Sequence, residues 1–278
     1  MGIRHHVPVD RGQFMSIREQ GHGPAVVLLH GIPGSGASWD HVADLLATRC
    51  RVLVPDLLGF AASSRSADPE TLHARGQAAA LQEALHGLQI ERATLVGHDF
   101  GGPVALSLIA RLPALATGLG LLSTNTFPDT PIPFPLSATT WPLVGGLAGG
   151  ILFSPASFRM MLRQGVGPRS GALDAARAVG DAEQARAIAT IFSTSLRSLA
   201  ELYAPIEHAL RSVTVPSFVA WGDRDPFFGV DQGRRTAKAL TGARWALLEG
   251  AGHFLPEERP TEVASLIAEL VDARGGSS

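Results

Sequence analysis

The chain of 278 residues contains one cysteine, Cys50, and one tyrosine, Tyr203. A single cysteine excludes an internal disulfide bond. Aromatic residues make up only 6% of the chain and the formal net charge is −2, so the sequence offers neither a base-stacking surface nor a basic patch. We therefore expect no nucleic-acid partner and no disulfide scaffold.

Long hydrophobic runs are also missing. The most apolar segment, residues 141–153 (WPLVGGLAGGILF), is shorter than the roughly 20 residues of a membrane-spanning helix and is weakened by glycines. The N-terminus, MGIRHH, lacks the apolar run of a secretory signal, and we interpret His5 and His6 as a solvated tail. These features predict a cytoplasmic protein without a membrane partner.

The chain is nevertheless 45% hydrophobic, enough for one compact core. Short β-branched and leucine-rich runs alternate with helical patterns, which predicts an α/β fold with a mostly parallel sheet and helices on both faces. Predicted strands are residues 25–30, 51–55, 93–98, 117–123, 217–221 and 243–248, after an antiparallel pair at 7–10 and 14–18. Predicted helices are residues 38–48, 70–88, 100–111, 231–240 and 261–273.

The alternation stops between residues 126 and 211. A proline-rich stretch (FPDTPIPFP) opens this region, and a glycine-rich apolar segment and alanine-rich helices follow. Ser154 and Pro155 have the pattern of a helix start. We predict a core domain of residues 1–125 and 212–278, with residues 126–211 forming an inserted helical cap over the carboxyl edge of the sheet.

The strongest local motif is residues 97–102 (GHDFGG), between a predicted strand and a predicted helix. Glycines on both sides allow a strained turn that holds the central side chain, Asp99, out at the top of the sheet. The helix start behind it directs N–H groups toward developing negative charge. Residues 30–34 (HGIPG) follow the first core strand, and the backbone N–H groups of Ile32 and Phe100 are candidates for an oxyanion hole.

Two loops near the C-terminus contribute the remaining candidate catalytic residues. His253 lies in a glycine-rich loop (GAGHF) after the last strand, where an imidazole can be presented, whereas His30 and His98 are interpreted as structural. Asp225, in the segment WGDRDPF, is the candidate acid that fixes the tautomer of His253. Asp223 is expected to face solvent or pair locally. Each of these loops follows a predicted strand, at the edge where open parallel sheets bind ligands.

At these residues the chain resembles the α/β-hydrolase superfamily, in particular its Asp-nucleophile branch of epoxide hydrolases and haloalkane dehalogenases. The resemblance runs through the core, from HGIP and GHDFGG to WGDRDPF and GAGHF, and is loose in the cap. It implies the α/β-hydrolase fold, with Asp99 as nucleophile, His253 as the base that activates water and Asp225 as its partner.

A carboxylate nucleophile indicates a particular chemistry. A serine that attacked a saturated carbon would form an ether, which water does not readily cleave, whereas a carboxylate forms an ester. Asp, with a reference pKa of about 3.9, is already ionised at neutral pH, so His253 is needed only to drive water onto the Asp99 ester. The predicted substrates therefore carry a strained ring or a good leaving group on an alkyl carbon.

Epoxide hydrolases and haloalkane dehalogenases differ in the leaving group that they must stabilise. Epoxide hydrolases of this branch usually place two cap tyrosines on the opening oxygen; here only Tyr203 exists, and His208 could supplement it. Dehalogenases usually hold the halide with N–H side chains at the positions of Phe100 and Ile32, which have none, and Trp141 could supply one contact at most. Fluoroacetate-type enzymes add arginines just after the nucleophile, whereas here no arginine occurs between Asp99 and Arg111. Epoxide hydrolysis is therefore favoured.

The remaining predictions concern the pocket and the rival functions. No metal-ligand spacing, P-loop or dinucleotide motif occurs, so we predict no metal and no cofactor. The alternatives are haloalkane dehalogenation, ester or lactone hydrolysis with Asp99 acting as a base toward water, and a non-catalytic binding protein of this fold. The sequence makes no prediction of oligomeric state. A small hydrophobic substrate is predicted from the apolar cap residues Phe134, Trp141, Leu143, Phe153, Met160 and Met161.

Overall fold

The fold is seen in a computed structural model that describes residues 2–66, 68–131, 137–138, 141, 151–152 and 182–273. Within these residues eight strands form one sheet, in the order β1-β2-β4-β3-β5-β6-β7-β8. The strands are β1 (Ile3–Val9), β2 (Gln13–Gln20), β3 (Ala25–Leu29), β4 (Arg51–Pro55), β5 (Ala93–His98), β6 (Ala116–Leu122), β7 (Ser217–Gly222) and β8 (Arg244–Leu248).

Strand β2 pairs antiparallel with β1 and β4, and every pair from β4 to β8 is parallel. The central strands are buried on both faces, as continuous apolar runs such as AVVLL in β3 require. The chain order reverses between β3 and β5, because β4 lies on the other side of β3. Open sheets of this kind leave a crevice at that switch point, beyond the carboxyl ends of the strands.

The helices cover both faces of the sheet and form two apolar layers. Helices α1 and α9 pack on one face, whereas α3, α4 and α6 pack on the other. In α9 the buried residues recur at helical spacing (Val263, Leu266, Ile267 and Leu270). The helices are α1 (Asp40–Leu46), α2 (Pro69–Leu72), α3 (Ala74–Gly87), α4 (Gly101–Arg111), α5 (Ala182–Arg197), α6 (Leu199–Ser212), α7 (Val230–Ala239), α8 (Leu255–Glu258) and α9 (Pro260–Ala273).

The predicted α/β fold with helices on both faces is confirmed, but two local predictions were wrong. The expected helix over residues 70–88 is two helices, because His73 has an extended backbone (ψ 158) and a Cβ on Gly76 would collide with the Glu70 carbonyl oxygen. The expected N-terminal tail is part of β1. There His5 pairs with Ile17 across the ladder, and the ring of His6 stacks on Phe14 at 4.9 Å.

Two helices of the predicted cap, α5 and α6, are described, and α6 packs along α4 of the core. Residues 153–181 and most of 132–150 lie outside the described part, and with them the predicted helix start at Ser154 and Pro155. The division into core and cap therefore stays a prediction. Within the described part, no helix combines the length and the apolar character needed to cross a membrane.

Candidate active site

Asp99 stands on a sharp turn between β5 and α4. Its φ of 51° is in the left-handed region, which costs a non-glycine residue roughly 1–2 kcal/mol. The neighbouring glycines are required by close packing, because a Cβ on Gly97 would meet the backbone of Gly101. The turn is pinned from outside by Thr124, whose hydroxyl donates to the Asp99 carbonyl oxygen at 2.6 Å. The strained backbone conformation thus lies at the residue whose carboxylate projects into the crevice.

His253 and Asp225 reach the same crevice from the loops after β8 and β7. The Nδ1 of His253 is 2.9 Å from Asp225 Oδ2, and its Nε2 is 3.6 Å from Asp99 Oδ2. The two loops meet closely, since a Cβ on Gly222 would collide with the carbonyl oxygens of Ala251 and Gly252. The structure therefore brings together the three residues that the sequence had suggested.

The orientation of Asp225 sets the tautomer of the histidine. Its Oδ1 accepts the backbone N–H groups of Phe227 at 2.9 Å and Phe228 at 3.0 Å. Its Oδ2 then accepts the Nδ1 proton of His253, which leaves Nε2 directed at Asp99. Asp223 is exposed and accepts the Gly250 N–H at 2.7 Å, so it supports the histidine loop rather than the imidazole.

The candidate oxyanion hole lies on the other side of Asp99. The Ile32 N–H donates to Asp99 Oδ1 at 2.7 Å, and among the described residues the Phe100 N–H has no protein acceptor. Gly31 is required here, because a Cβ would lie 2.5 Å from the Asp99 Cβ. His30 holds the loop: its Nε2 accepts the Leu57 N–H at 3.0 Å, so its Nδ1 donates to the Gly31 carbonyl at 2.9 Å.

Opposite charges dominate the site. Burial alone would lower the pKa of His253, but the negative charges and hydrogen bonds of Asp225 and Asp99 outweigh it and raise that pKa to about 10. Burial alone would raise the pKa of Asp99, but the hydrogen bond and charge of His253 hold it below its ordinary value. The pKa of Asp225 is lowered against burial in the same way, chiefly by the charge of His253. The two carboxylates thus favour the protonated form of His253 at neutral pH.

Two residues that sequence reasoning had not placed in the site hold His253 by its backbone. His98 Nε2 donates to the His253 carbonyl at 2.9 Å, and burial lowers the pKa of His98 to about 4, so it stays neutral. Glu258 accepts the Gly252 N–H at 2.7 Å and the Phe254 N–H at 3.1 Å, one on each side of the histidine. The only sequence signal for either residue is its closeness to a catalytic candidate: His98 precedes Asp99, and Glu258 follows His253 by five residues.

The cap candidates lie in different environments. Tyr203 packs on the core beside Phe100, where a cavity of about 10 Å³ is also lined by His73 and Ile206. Within the described part its hydroxyl makes no hydrogen bond. Burial, and then the negative charge of Asp99, raise the pKa of Tyr203, so the hydroxyl stays protonated.

His208 is not brought to the site, which corrects its candidacy as a proton donor. It is exposed, because α6 buries Ile206 and Leu210 toward the core and directs residue 208 to the other side of the helix. Trp141 is 54% exposed, so no buried pocket contact is seen for it. Phe134 lies outside the described residues. No group of three or more His, Cys, Asp or Glu side chains in the described ranges could hold a metal ion.

Comparison with known proteins identifies the family of the chain. The sequence profile of the alpha/beta hydrolase family matches residues 26–266, so the chain belongs to the α/β-hydrolase family. An uncharacterised protein of Mycobacterium tuberculosis is 27% identical over 94% of this chain and 79% of that protein. Epoxide hydrolase A of Mycobacterium tuberculosis is 26% identical over 89% of this chain and 90% of that enzyme.

Among solved structures, a haloalkane dehalogenase from Bradyrhizobium elkani is similar with a TM-score of 0.84 at 23% identity, over 100% of both chains. This likeness shows the same fold, and the family profile confirms the superfamily membership inferred from the motifs. The relatives also carry the names of the two activities of the Asp-nucleophile branch that the motifs resembled, epoxide hydrolysis and haloalkane dehalogenation.

Proposed function

We propose that this chain is a hydrolase that forms a covalent ester between its substrate and Asp99, and that its substrate is a hydrophobic epoxide. The observation that carries the proposal is the two-sided environment of one carboxylate. Asp99 Oδ1 is held by the Ile32 N–H at 2.7 Å, and Oδ2 faces His253 Nε2 at 3.6 Å. This arrangement supports a mechanism in which Oδ1 becomes the carbonyl oxygen of the ester while Oδ2 bonds to carbon.

In the first step Asp99 Oδ2 attacks a carbon of the epoxide. A C–O bond to the enzyme forms as the ring C–O bond breaks, and the ring oxygen takes a proton. The lowered pKa of Asp99 keeps the carboxylate ionised, so the attack needs no base. Release of ring strain drives this step.

In the second step water cleaves the ester. Ester formation removes the charge of Asp99, which lowers the pKa of His253 from the value near 10 that both carboxylates sustain against burial. His253 then releases its proton, which restores the group that protonated the ring oxygen, and Nε2 becomes a base for water. The N–H groups of Ile32 and Phe100 stabilise the tetrahedral oxyanion, whose collapse releases a diol and restores the carboxylate.

Tyr203 is the proposed proton donor to the ring oxygen. It is the only tyrosine of the chain, it lies beside Phe100 at the nucleophile turn, and the charge of Asp99 acts on its hydroxyl. A halide needs no proton but does need N–H donors. The side chains of Phe100 and Ile32 offer none, which favours the epoxide over an alkyl halide.

Replacing Tyr203 by phenylalanine removes only the hydroxyl and tests this role. We expect Tyr203→Phe to slow ester formation from styrene oxide about 10²-fold, the effect of losing one general acid. Any release of bromide from 1-bromobutane should change little, because bromide leaves without a proton. Rapid-quench kinetics with both substrates measure the two rates. An unchanged rate with styrene oxide would remove Tyr203 from the mechanism.

The ester itself is tested by a single turnover of styrene oxide, with enzyme in excess, in water enriched in heavy oxygen. We expect the diol of the first turnover to carry no heavy oxygen, because its new oxygen comes from Asp99, while the Asp99 peptide becomes labelled. Mass spectrometry of diol and peptide measures both. Heavy oxygen in the first diol would mean that Asp99 acts as a base toward water, and absence of any turnover would favour a binding protein.

A further inference from the structure

Gln184, in the first turn of α5, connects this helix to two loops of the core. Its side chain is buried, with 3% of the residue exposed. Its Nε2 donates to the Pro33 carbonyl at 3.0 Å, and its Oε1 accepts the Ala61 N–H at 3.0 Å. The residue belongs to none of the motifs of the core, and it lies 151 positions from Pro33 along the chain.

Pro33 follows directly on Ile32, the residue whose N–H contacts Asp99. Because proline has no N–H, its carbonyl oxygen is the one backbone group of Pro33 itself that can be hydrogen-bonded. The loop is also fastened at its two ends, by His30 to Leu57 and by the Gly36 N–H to Asp56 at 2.9 Å. Gln184 holds the middle of this loop at Pro33, next to the Ile32 N–H that contacts Asp99.

We propose that Gln184 is a positioning residue, which holds the Ile32 N–H where the oxyanion forms and so makes hydrolysis of the Asp99 ester depend on the docking of α5. The inference rests on the function proposed above. It predicts an effect on one chemical step only, and this separates a positioning role from a general loss of stability.

The two steps use the Ile32 N–H in opposite ways. In the resting state the donor stabilises the full charge of the Asp99 carboxylate, and that charge is lost as the ester forms. The bond is therefore weaker at the end of the first step, so displacing the donor does not slow ester formation. In the second step negative charge returns to the same oxygen, and a displaced donor stabilises it less.

Helix α5 has other anchors, so a change at Gln184 should leave it docked. The Thr194 hydroxyl donates to the Thr190 carbonyl of the same helix at 2.7 Å. It therefore accepts the hydrogen bond from His73 Nε2 at 3.0 Å, which ties the helix to the core. Glu183 pairs with Arg65 at 3.3 Å. Loss of the Gln184 hydrogen bonds thus acts on the loop at Pro33 rather than on the helix as a whole.

The test compares Gln184→Met and Gln184→Glu with Gln77→Met. Methionine keeps the length of the side chain without hydrogen bonds, and glutamate keeps the acceptor for Ala61 but loses the donor to Pro33. Gln77 is the matched control, because it is also buried and makes two backbone hydrogen bonds, both to Leu58, at 2.9 and 2.8 Å. Thermal melting of all three variants reports on folding.

With styrene oxide, both Gln184 variants are expected to hydrolyse the Asp99 ester about tenfold more slowly, a fraction of the effect of removing an oxyanion donor. The ester should accumulate during turnover, seen by intact mass. Since kcat/KM reports only the steps through ester formation, kcat and KM should fall together and leave kcat/KM unchanged. Gln77→Met should not accumulate ester, whatever its melting temperature.

Two results would overturn the inference alone: hydrolysis that is unchanged in both Gln184 variants, or an equal fall of kcat/KM and kcat without ester accumulation. Either result counts only when His253→Gln protein does form the ester with styrene oxide. If that variant forms no ester with styrene oxide or with 1-bromobutane, the proposed function fails, and the role of Gln184 fails with it.

Discussion

His253→Gln protein incubated with styrene oxide is expected to gain the mass of one epoxide molecule, located on the Asp99 peptide. Ester formation needs only the ionised carboxylate, whereas hydrolysis needs the base whose Nε2 is 3.6 Å from Asp99 Oδ2. Glutamine fills the space of the imidazole but cannot accept a proton from water. The ester should therefore persist, and steady-state turnover should fall by about 10⁴-fold or more.

The control is the double variant Asp99→Ala, His253→Gln, which should gain no mass. A parallel incubation with 1-bromobutane identifies the leaving group, since an ester formed only from the bromide would support a dehalogenase. If neither electrophile forms an ester while the wild-type protein cleaves simple esters, the interpretation of Asp99 as nucleophile is wrong.

We expect Asp225→Asn to lower kcat about 10⁴-fold, because the substitution leaves the histidine in the wrong tautomer. The asparagine carbonyl oxygen can keep both N–H bonds, from Phe227 and Phe228, so its NH2 group must face His253 Nδ1. Nδ1 then becomes the acceptor and Nε2 carries the proton, so it cannot serve as the base. Losing the charge of Asp225 also lowers the pKa of His253, so the wrong tautomer persists at neutral pH.

Asp223→Asn is the matched control, because Asp223 lies two residues away in the same loop and is exposed. Its contact is the Gly250 N–H at 2.7 Å, which an asparagine oxygen can also accept. Steady-state kinetics on styrene oxide should show nearly wild-type rates for this variant. Equal losses in the two variants would show that the loop as a whole, rather than the Asp225–His253 pair, is what catalysis requires.

The predicted and observed sites agree where a residue type is tied to a local backbone requirement. Gly97 and Gly101 allow the turn that exposes Asp99, and Gly31 leaves room for its side chain. Such requirements select glycines at fixed positions around the functional residue, so a sequence motif can predict the site. His5 shows the limit: a charged pattern was interpreted as a tail, whereas it pairs with Ile17 at the sheet edge, where polar side chains can face solvent.

The hydrogen bonds of some polar side chains were missed for a different reason. Glu258 and Gln184 are ordinary polar residues on helices, and nothing beside them in the chain shows which backbone groups they accept from or donate to. The same holds for His208. It was a candidate proton donor because of its place in the predicted cap, but it is exposed because other residues form the buried face of α6. A side chain's partner is chosen by packing, which local periodicity does not encode.

The sequence by itself determined the alternation of strands and helices and the loops that carry chemistry, because hydrophobic spacing and glycine requirements act within a few residues. Tertiary structure alone decided the contacts themselves: His253 Nδ1 lies 2.9 Å from Asp225 Oδ2, and the Ile32 N–H lies 2.7 Å from Asp99 although Ile32 and Asp99 are 67 positions apart. Those contacts exist because parallel strands bring their carboxyl ends to one edge of a sheet, whatever the length of chain between them.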